Sequence, residues 1–214
     1  MERKSKIEYL LPEEIEKRSF EIITEELKKR GITLLSEQEM ITKRVIHTSA
    51  DFDYADTLVY SKDAVAIAKE LIKNGADIVT DTNMALAGIN KKALAKLGGQ
   101  THCFMADEDV ARLAKERGVT RAVASMEKAR NIEKPVIFAV GNAPTALIRL
   151  YEMIQEGNWH PAFVIGVPVG FVNVEVAKEL IMETEVPFIV NRGRKGGSNV
   201  AAAICNALLY ELTR

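Results

Sequence analysis

The sequence predicts an α/β fold, a doubly wound and mostly parallel sheet of five or six strands with helices on both faces. Short apolar runs alternate with amphipathic stretches of helical spacing along most of the chain, which is the pattern of strand–helix repeats. The strongest runs are continuously apolar, as expected for strands that are covered on both faces. With 214 residues, 47% of them apolar, the chain is long enough for one substantial core. We therefore expect a single domain over residues 1–214.

Two helices are expected first, as an N-terminal helical segment over about residues 12–50. The first begins near Pro12, a residue that suits the first turn of a helix. Its apolar stripe, which we expect to be buried, consists of Ile15, Ser19, Ile22, Ile23 and Leu27. The second helix opens with Ser36 and Glu39 in capping-box spacing and ends near His47.

Six apolar runs are predicted as strands. They are LVY (58–60), DIVTD (77–81), THCFM (101–105), VIFAVG (136–141), AFVIGVPV (162–169) and FIVN (188–191). In doubly wound sheets ligands bind outside the carboxyl ends of the strands, so the segments that follow the runs are the first places to look for function.

The overall charge and the cysteines exclude several classes of function. The chain has 29 basic and 30 acidic residues, so its net charge of −1 gives no field that favours nucleic acid or an anionic membrane. Its charged start, MERKSKIEYL, has no apolar run of signal length, and no later stretch approaches the roughly 18 apolar residues of a membrane span. Cys103 and Cys205 show neither CxxC nor metal-ligand spacing. We expect a cytoplasmic protein without nucleic-acid or membrane partners.

A cationic, glycine-rich segment follows the last strand. In NRGRKGGSN (191–199) the side chains of Arg192, Arg194 and Lys195 surround Gly193, directly before a helix. Helix amides and arginine side chains both suit carboxylates or phosphates, so the segment predicts an anion site. The segment matches neither the phosphate loop nor the dinucleotide fingerprint, and a solvated loop is the alternative.

The segment GNAPT (141–145) joins another strand to a helix. Gly141 permits a tight turn, Asn142 can cap the helix, and Pro144 suits its first turn. Capping alone explains these residues, and the alternative is that the exposed amides bind a ligand carboxylate.

Metal and serine chemistry are not supported by the remaining polar residues. Asp81 and Asn83 could suggest a divalent metal, as could the acidic residues 107–109, but the latter group is explained by the start of a helix. HExxH, two-His-one-carboxylate and GxSxG patterns are missing from the sequence. His102 lies in a predicted strand and His160 in a loop, and we expect neither to take part in a reaction.

His47 is the candidate for acid–base chemistry. Arg44 precedes it by three residues on the same helical face, with two hydroxyls and several aspartates close behind. A histidine can donate a proton near neutral pH, and an arginine beside it can hold an anionic substrate.

Several segments together resemble the precorrin-8X methylmutase family of corrin biosynthesis. They are SFEII, RVIHTSADFDYADTL, GADIVTDTNMALAGI, TRAVASMEKA, FAVGNAPTALIRLYEMI, GVPVGFVNVEVAKE and VPFIVNRGRKGGSNVAAAICNALL. The resemblance runs from about residue 18 almost to the C-terminus. It implies a flavodoxin-like three-layer fold, a homodimer with its tetrapyrrole near the subunit interface, and chemistry without a metal or an organic cofactor.

The resemblance also implies the reaction, a migration of a methyl group from C-11 to C-12 of precorrin-8, with or without cobalt, in cobalamin biosynthesis. The product is hydrogenobyrinate or cobyrinate. His47 matches the family's catalytic histidine, and the substrate contacts correspond to Ser19, Arg44 and Arg121. The cationic segment with Arg192 and its neighbours would bind the carboxylates of such a corrinoid.

Two other functions stay open at the level of the residues. One is an α/β enzyme that binds a nucleotide or sugar phosphate in the cationic segment and uses His47 as a base. The other is a non-catalytic tetrapyrrole carrier, which needs the cationic segment but not His47.

Overall fold

Six strands form one sheet in the computed structural model, which describes residues 7–213 apart from the side chain of Glu13. The strands are β1 Leu58–Tyr60, β2 Asp77–Thr80, β3 Thr101–His102, β4 Val136–Val140, β5 Phe163–Gly166 and β6 Phe188–Asn191. Their order across the sheet is β1-β6-β5-β4-β2-β3. All neighbouring pairs are parallel except β1 with β6, so the predicted mostly parallel sheet is confirmed.

Eleven helices are found within the described residues. They are α1 Pro12–Lys29, α2 Ser36–Ser49, α3 Tyr54–Thr57, α4 Ala64–Lys73, α5 Asn83–Gly88, α6 Lys91–Lys96, α7 Glu108–Arg117, α8 Arg121–Ala129, α9 Pro144–Gln155, α10 Val174–Met182 and α11 Ser198–Thr213. In the part of the chain that the structure describes, none is long and apolar enough to cross a membrane.

Alternate side chains of the central strands separate the core into two layers. In β4, Ile137 and Ala139 pack with α2, α4 and α11 on one face of the sheet. Val136, Phe138 and Val140 pack with α8, α9 and α10 on the other. Because successive side chains of a strand point to opposite faces, a continuously apolar run buries both of its faces. The helices on both faces confirm the predicted layers.

The strand order reverses between β2 and β4. The chain passes from β2 outward to β3 and then returns to β4 on the other side of β2. This reversal opens a crevice at the carboxyl ends of β2 and β4, which is the usual ligand position in such sheets.

Two local predictions were wrong, each for an identifiable reason. The strand predicted over residues 101–105 ends at His102, because it lies at the sheet edge and pairs only with β2. The predicted capping box is not formed, since α2 begins at Ser36 itself and Glu39 accepts a hydrogen bond from Lys43 instead. Residues 1–6 of the charged start lie outside the described residues.

The stripe predicted for α1 divides into two faces. Ile23 and Leu27 are buried in the core, whereas Ile15 and Ile22 are 53% and 48% exposed. Positions 15, 19 and 22 share one helical face, and positions 20, 23 and 27 share the next. Ser19 therefore lies on the exposed face, half-buried rather than buried as predicted.

Candidate functional site

His47 lies in the last turn of α2, exposed beside a cleft of about 290 Å³. The cleft is bounded by α2, α5 and α11, with Thr48, Gly88, Asn199 and Tyr210 among its lining residues. The ring of Phe20 from α1 lies 5.5 Å from the imidazole, centroid to centroid. One side of the imidazole is thus supported by an apolar ring while the other is open to a ligand.

Arg44 lies one turn before His47 and lines the same cleft. Its guanidinium pairs with Glu16 and lies 4.8 Å above the Phe20 ring and 5.3 Å above the Tyr210 ring. Only 13% of the side chain is exposed, and Nε is buried without a hydrogen-bond partner among the described residues. The arginine is therefore fixed in place, with one donor still unused.

Ser19 lies on α1, the helix that also carries Phe20. Its hydroxyl donates to the carbonyl of Ile15 at 2.9 Å, one turn earlier in the same helix. This bond turns the oxygen back towards the helix, and the residue is half-buried.

The basic loop, which we define as residues 192–197, presents three cations that all have carboxylate partners. Arg192 lies 3.5 Å from Glu179, and Arg194 lies 3.0 Å from Glu175. The two arginine side chains are each 59% exposed, so water screens these pairs and an incoming anion can replace them at little cost. At Gly193 the backbone has a φ of 72°, which favours glycine and lets the loop turn.

Lys195 connects the basic loop to the histidine segment. Its Nζ donates to Oδ2 of Asp51 at 2.6 Å and to Oδ2 of Asp53 at 2.5 Å, both just beyond the end of α2. These bonds raise the pKa of Lys195 and lower that of Asp51. The predicted histidine and the predicted cations are therefore brought to one edge of the molecule.

The segment 141–145 closes the crevice between β2 and β4. The buried carboxylate of Asp81 accepts hydrogen bonds from the amides of Gly141 at 2.8 Å, Asn142 at 2.8 Å and Ala143 at 2.6 Å. Burial raises the pKa of Asp81, while the three amides oppose that rise. A ligand carboxylate at these amides, one of the sequence interpretations, is wrong because Asp81 occupies all three.

Gly141 also fixes the approach of α11 to this segment. A Cβ there would lie 2.7 Å from the Cα of Ser198, so the close contact requires glycine. Asn142 does not cap α9, whose N-cap is Ala143 without a side-chain bond, and its own side chain is exposed. The asparagine is thus free to face a ligand.

Arg121 stands at the start of α8, exposed and without an ion-pair partner in the described part of the chain. The preceding Thr120 contacts Thr145 of the segment 141–145, hydroxyl to hydroxyl, at 3.0 Å. Arg121 therefore begins a helix that adjoins that segment, and it is not among the residues that line the His47 cleft.

The other two histidines do not line the His47 cleft. His102 Nε2 is 2.8 Å from Oδ2 of Asp77, the first residue of β2, and His160 is exposed just before β5. Within residues 7–213 no group of three or more His, Cys, Asp or Glu residues could hold a metal ion. Asp107 and Asp109 instead bond Lys128.

Similarity to known proteins identifies the family. The family model described as precorrin-8X methylmutase matches residues 14–211. The chain belongs to the precorrin-8X methylmutase family. It is 45% identical over 197 residues to a cobalt-precorrin-8 methylmutase of Priestia megaterium, covering 92% of this chain and 87% of the relative. It is also 45% identical over 207 residues to one of Salmonella typhimurium, covering 94% and 96%.

A solved structure supports the same family. The precorrin-8X methylmutase of Thermus thermophilus matches with a TM-score of 0.83 at 37% identity, covering 92% of this chain and 96% of that one. The relatives are named as methylmutases, which are isomerases. The family and the enzyme class expected from the sequence are therefore confirmed.

Two buried polar residues at this edge were missed as functional positions. The sequence suggests only metal binding for Asp81 and indicates no role for Lys178 of α10. Lys178 had a readable signal, since it falls on the apolar face of its helix with Val174, Ala177 and Ile181. A charge on an apolar face needs partners, and here they belong to the basic loop.

Proposed function

We propose that this chain moves a methyl group from C-11 to C-12 of precorrin-8, in its metal-free or cobalt-loaded form, in cobalamin biosynthesis. The product is hydrogenobyrinate or cobyrinate. The observation that carries the proposal is the exposed His47 at an open cleft that the Lys195 contacts join to a loop of three cations. Family membership supplies the substrate class.

His47 is the proton donor in this proposal. The C-11–methyl bond breaks as the C-12–methyl bond forms, so no atom is gained or lost and no nucleophile is needed. A proton that His47 places on a ring nitrogen makes the macrocycle electron-poor and favours the shift, and after the shift an equivalent proton returns to His47. The exposure of His47 at the cleft suits this role, because its ring nitrogens are accessible to a ligand there.

The remaining substrate-binding residues divide by the part of the corrinoid that they face. Arg192, Arg194 and Lys195 bind side-chain carboxylates by exchanging their present carboxylate partners, and Gly193 gives their loop its turn. The other contacts are assigned to Ser19, Arg44, Arg121 and Asn142. Arg44 lines the His47 cleft, where its positive charge suits an anionic group of the substrate.

A homodimer completes the site in this proposal. The cleft of about 290 Å³ is at the lower end of pockets for ordinary small ligands, roughly 300–1,000 Å³, and a corrinoid is larger than these. Exposed apolar side chains support a partner surface: Leu11 just before α1, Ile15 and Ile22 on α1, and Phe171 and Val172 after β5. Sedimentation at assay concentration tests the dimer, and a fully active monomer would overturn it.

We also propose that the chain folds as one domain and works in the cytoplasm. Cys103 and Cys205 carry free thiols, which fits a reducing compartment. Burial raises the pKa of the Cys205 thiol to about 12, so this group stays protonated and inert.

The test is to mix the purified chain with metal-free and with cobalt-loaded precorrin-8 in parallel. We expect the visible spectrum to change while the mass of the pigment stays the same, because the reaction is an isomerisation. The relatives named for cobalt-precorrin-8 lead us to expect conversion of the cobalt-loaded form. Binding without conversion would favour a carrier, and no spectral change at all would favour an enzyme of phosphate-bearing substrates.

A further inference from the structure

Lys178 is fully buried, which is rare for a lysine. It lies on α10, and its Nζ donates to the carbonyl of Gly193 at 2.7 Å and to that of Lys195 at 2.8 Å. Both acceptors belong to the basic loop. The side chain thus reaches from beneath the loop to two of its backbone oxygens.

The carbonyls of residues 192–195 in the basic loop are all bound from the protein side. The side-chain amide of Asn191 donates to the carbonyls of Arg192 at 3.0 Å and Lys195 at 2.9 Å. The amide of Gly170 donates to the carbonyl of Arg194 at 3.2 Å. Since the backbone oxygens of residues 192–195 are engaged inward, the three cationic side chains are left outside.

We propose that Lys178 is a positioning residue, whose buried ammonium orders the basic loop so that its three cations face the substrate's carboxylates. For the identity of the substrate this inference rests on the proposed function. For the order of the loop it rests on the hydrogen bonds alone.

The donor, more than the charge, gives Lys178 this role. Burial lowers the pKa of Lys178 to about 8, while the nearby charge of Glu175 opposes that change. Arg192, Arg194 and Lys195 face it from the loop. A neutral amine still has two N–H groups for two carbonyls, so the decisive change is to a side chain of similar length without a donor.

Lys178→Met makes that change, and Lys115→Met on the exposed surface of α7 is the matched control. Trypsin can cut the basic loop only after local opening, so its cutting rate reports loop order without any substrate. Loss of the charge-assisted bonds should speed cutting after residues 192, 194 and 195 by roughly tenfold or more, read from fragment masses. With cobalt-loaded precorrin-8, KM should rise by about the same factor while kcat changes less than about twofold.

A folded Lys178→Met chain that is cut at the wild-type rate would overturn the inference, as would an unchanged KM with a collapsed kcat. If Lys178→Met does not fold, Lys178→Gln replaces it. Its shorter donor reaches the carbonyls less well, so cutting must still exceed the wild-type rate, and an equal rate overturns the inference. If the wild-type chain does not bind the corrinoid, the proposed function fails, and the cutting rates still decide whether Lys178 orders the loop.

Discussion

Two loops at the carboxyl edge of the sheet are held from below by buried charges of opposite sign. The segment 141–145 is held by Asp81, whose carboxylate accepts three backbone amides. The basic loop is held by Lys178, whose ammonium donates to two backbone carbonyls. Asp81 thus binds backbone amides of its loop, and Lys178 binds backbone carbonyls of the other. The side chains of each loop remain available to a ligand.

The two loops differ in the groups that they leave available to a ligand. Around Asp81 the amides that could have bound an anion point inward, so this segment offers a ligand only side chains such as Asn142. Around Lys178 the carbonyls point inward, and the loop offers its cations. In the proposed function, anion binding therefore belongs to the basic loop and proton transfer belongs to His47.

The largest expected effect separates His47 from both loops. His47→Ala should leave folding and corrinoid binding intact but lower kcat by about 10² to 10⁴, the usual range for one general acid. This corresponds to roughly 3–5 kcal/mol of barrier. Stopped-flow absorbance at saturating substrate measures it, with His160→Ala as the control. A large loss of corrinoid binding in the folded variant would contradict the proposal that the basic loop binds the substrate while His47 donates the proton.

Removing the outward cations should affect binding more than the reaction. With both Arg192 and Arg194 changed to alanine, we expect KM to rise by about 10- to 100-fold with little change in kcat, because carboxylate contacts hold substrate and transition state about equally. Titration followed by visible absorbance, repeated at rising salt, checks this, since screened contacts weaken with salt. Arg112→Ala on α7 is the control, and a normal KM with a low kcat would refute the assignment.

Removing the Asp81 carboxylate, which holds the segment 141–145, should mainly lower the stability of the fold. Asp81→Asn leaves fewer acceptors and puts an NH₂ group against an amide donor, so we expect to lose about 2 kcal/mol of the free energy of unfolding. Urea unfolding followed by circular dichroism measures it, with Asp56→Asn on the surface as the control. Unchanged stability would mean that the three amides find other partners.

The smallest expected effect sharpens the role of the exposed ion pairs. Glu175→Gln removes the carboxylate that holds Arg194. The arginine then binds a substrate carboxylate without a competitor, and KM should fall by about twofold, as suits an exposed pair. The measurement is the same titration with Glu133→Gln as the control. A rise in KM would show that Glu175 orients Arg194 rather than competing for it.

The sheet could be predicted because its signal is local and repeated. Apolar runs such as 136–141 and 188–191 directly predict strands, and the helices between them require a parallel sheet. The strand 101–105 failed because an edge strand depends on its single neighbour. On α1, helical spacing was correct, but spacing alone does not tell which of two adjacent faces meets α2.

Candidate site residues could be predicted only where the residue type itself indicates a chemical role. The lone cleft histidine and the cluster of cations did so, and the structure joins them through Lys195. The partners of the cations and of Arg44 depend on contacts between segments far apart in sequence, such as Glu16 and Glu175. Asp81 was misleading for the same reason, since its ligands are amides sixty or more residues away.

The central claim, that His47 donates the proton, is tested most directly by the pH dependence of kcat at saturating substrate. A general acid works only while protonated, so wild-type kcat should fall as rising pH removes the proton that is donated. In the His47→Ala chain the rate should be low at every pH and the fall should be lost. A folded and saturated His47→Ala chain with near wild-type turnover and the same descending limb would contradict the claim, leaving confinement of the macrocycle as the source of catalysis.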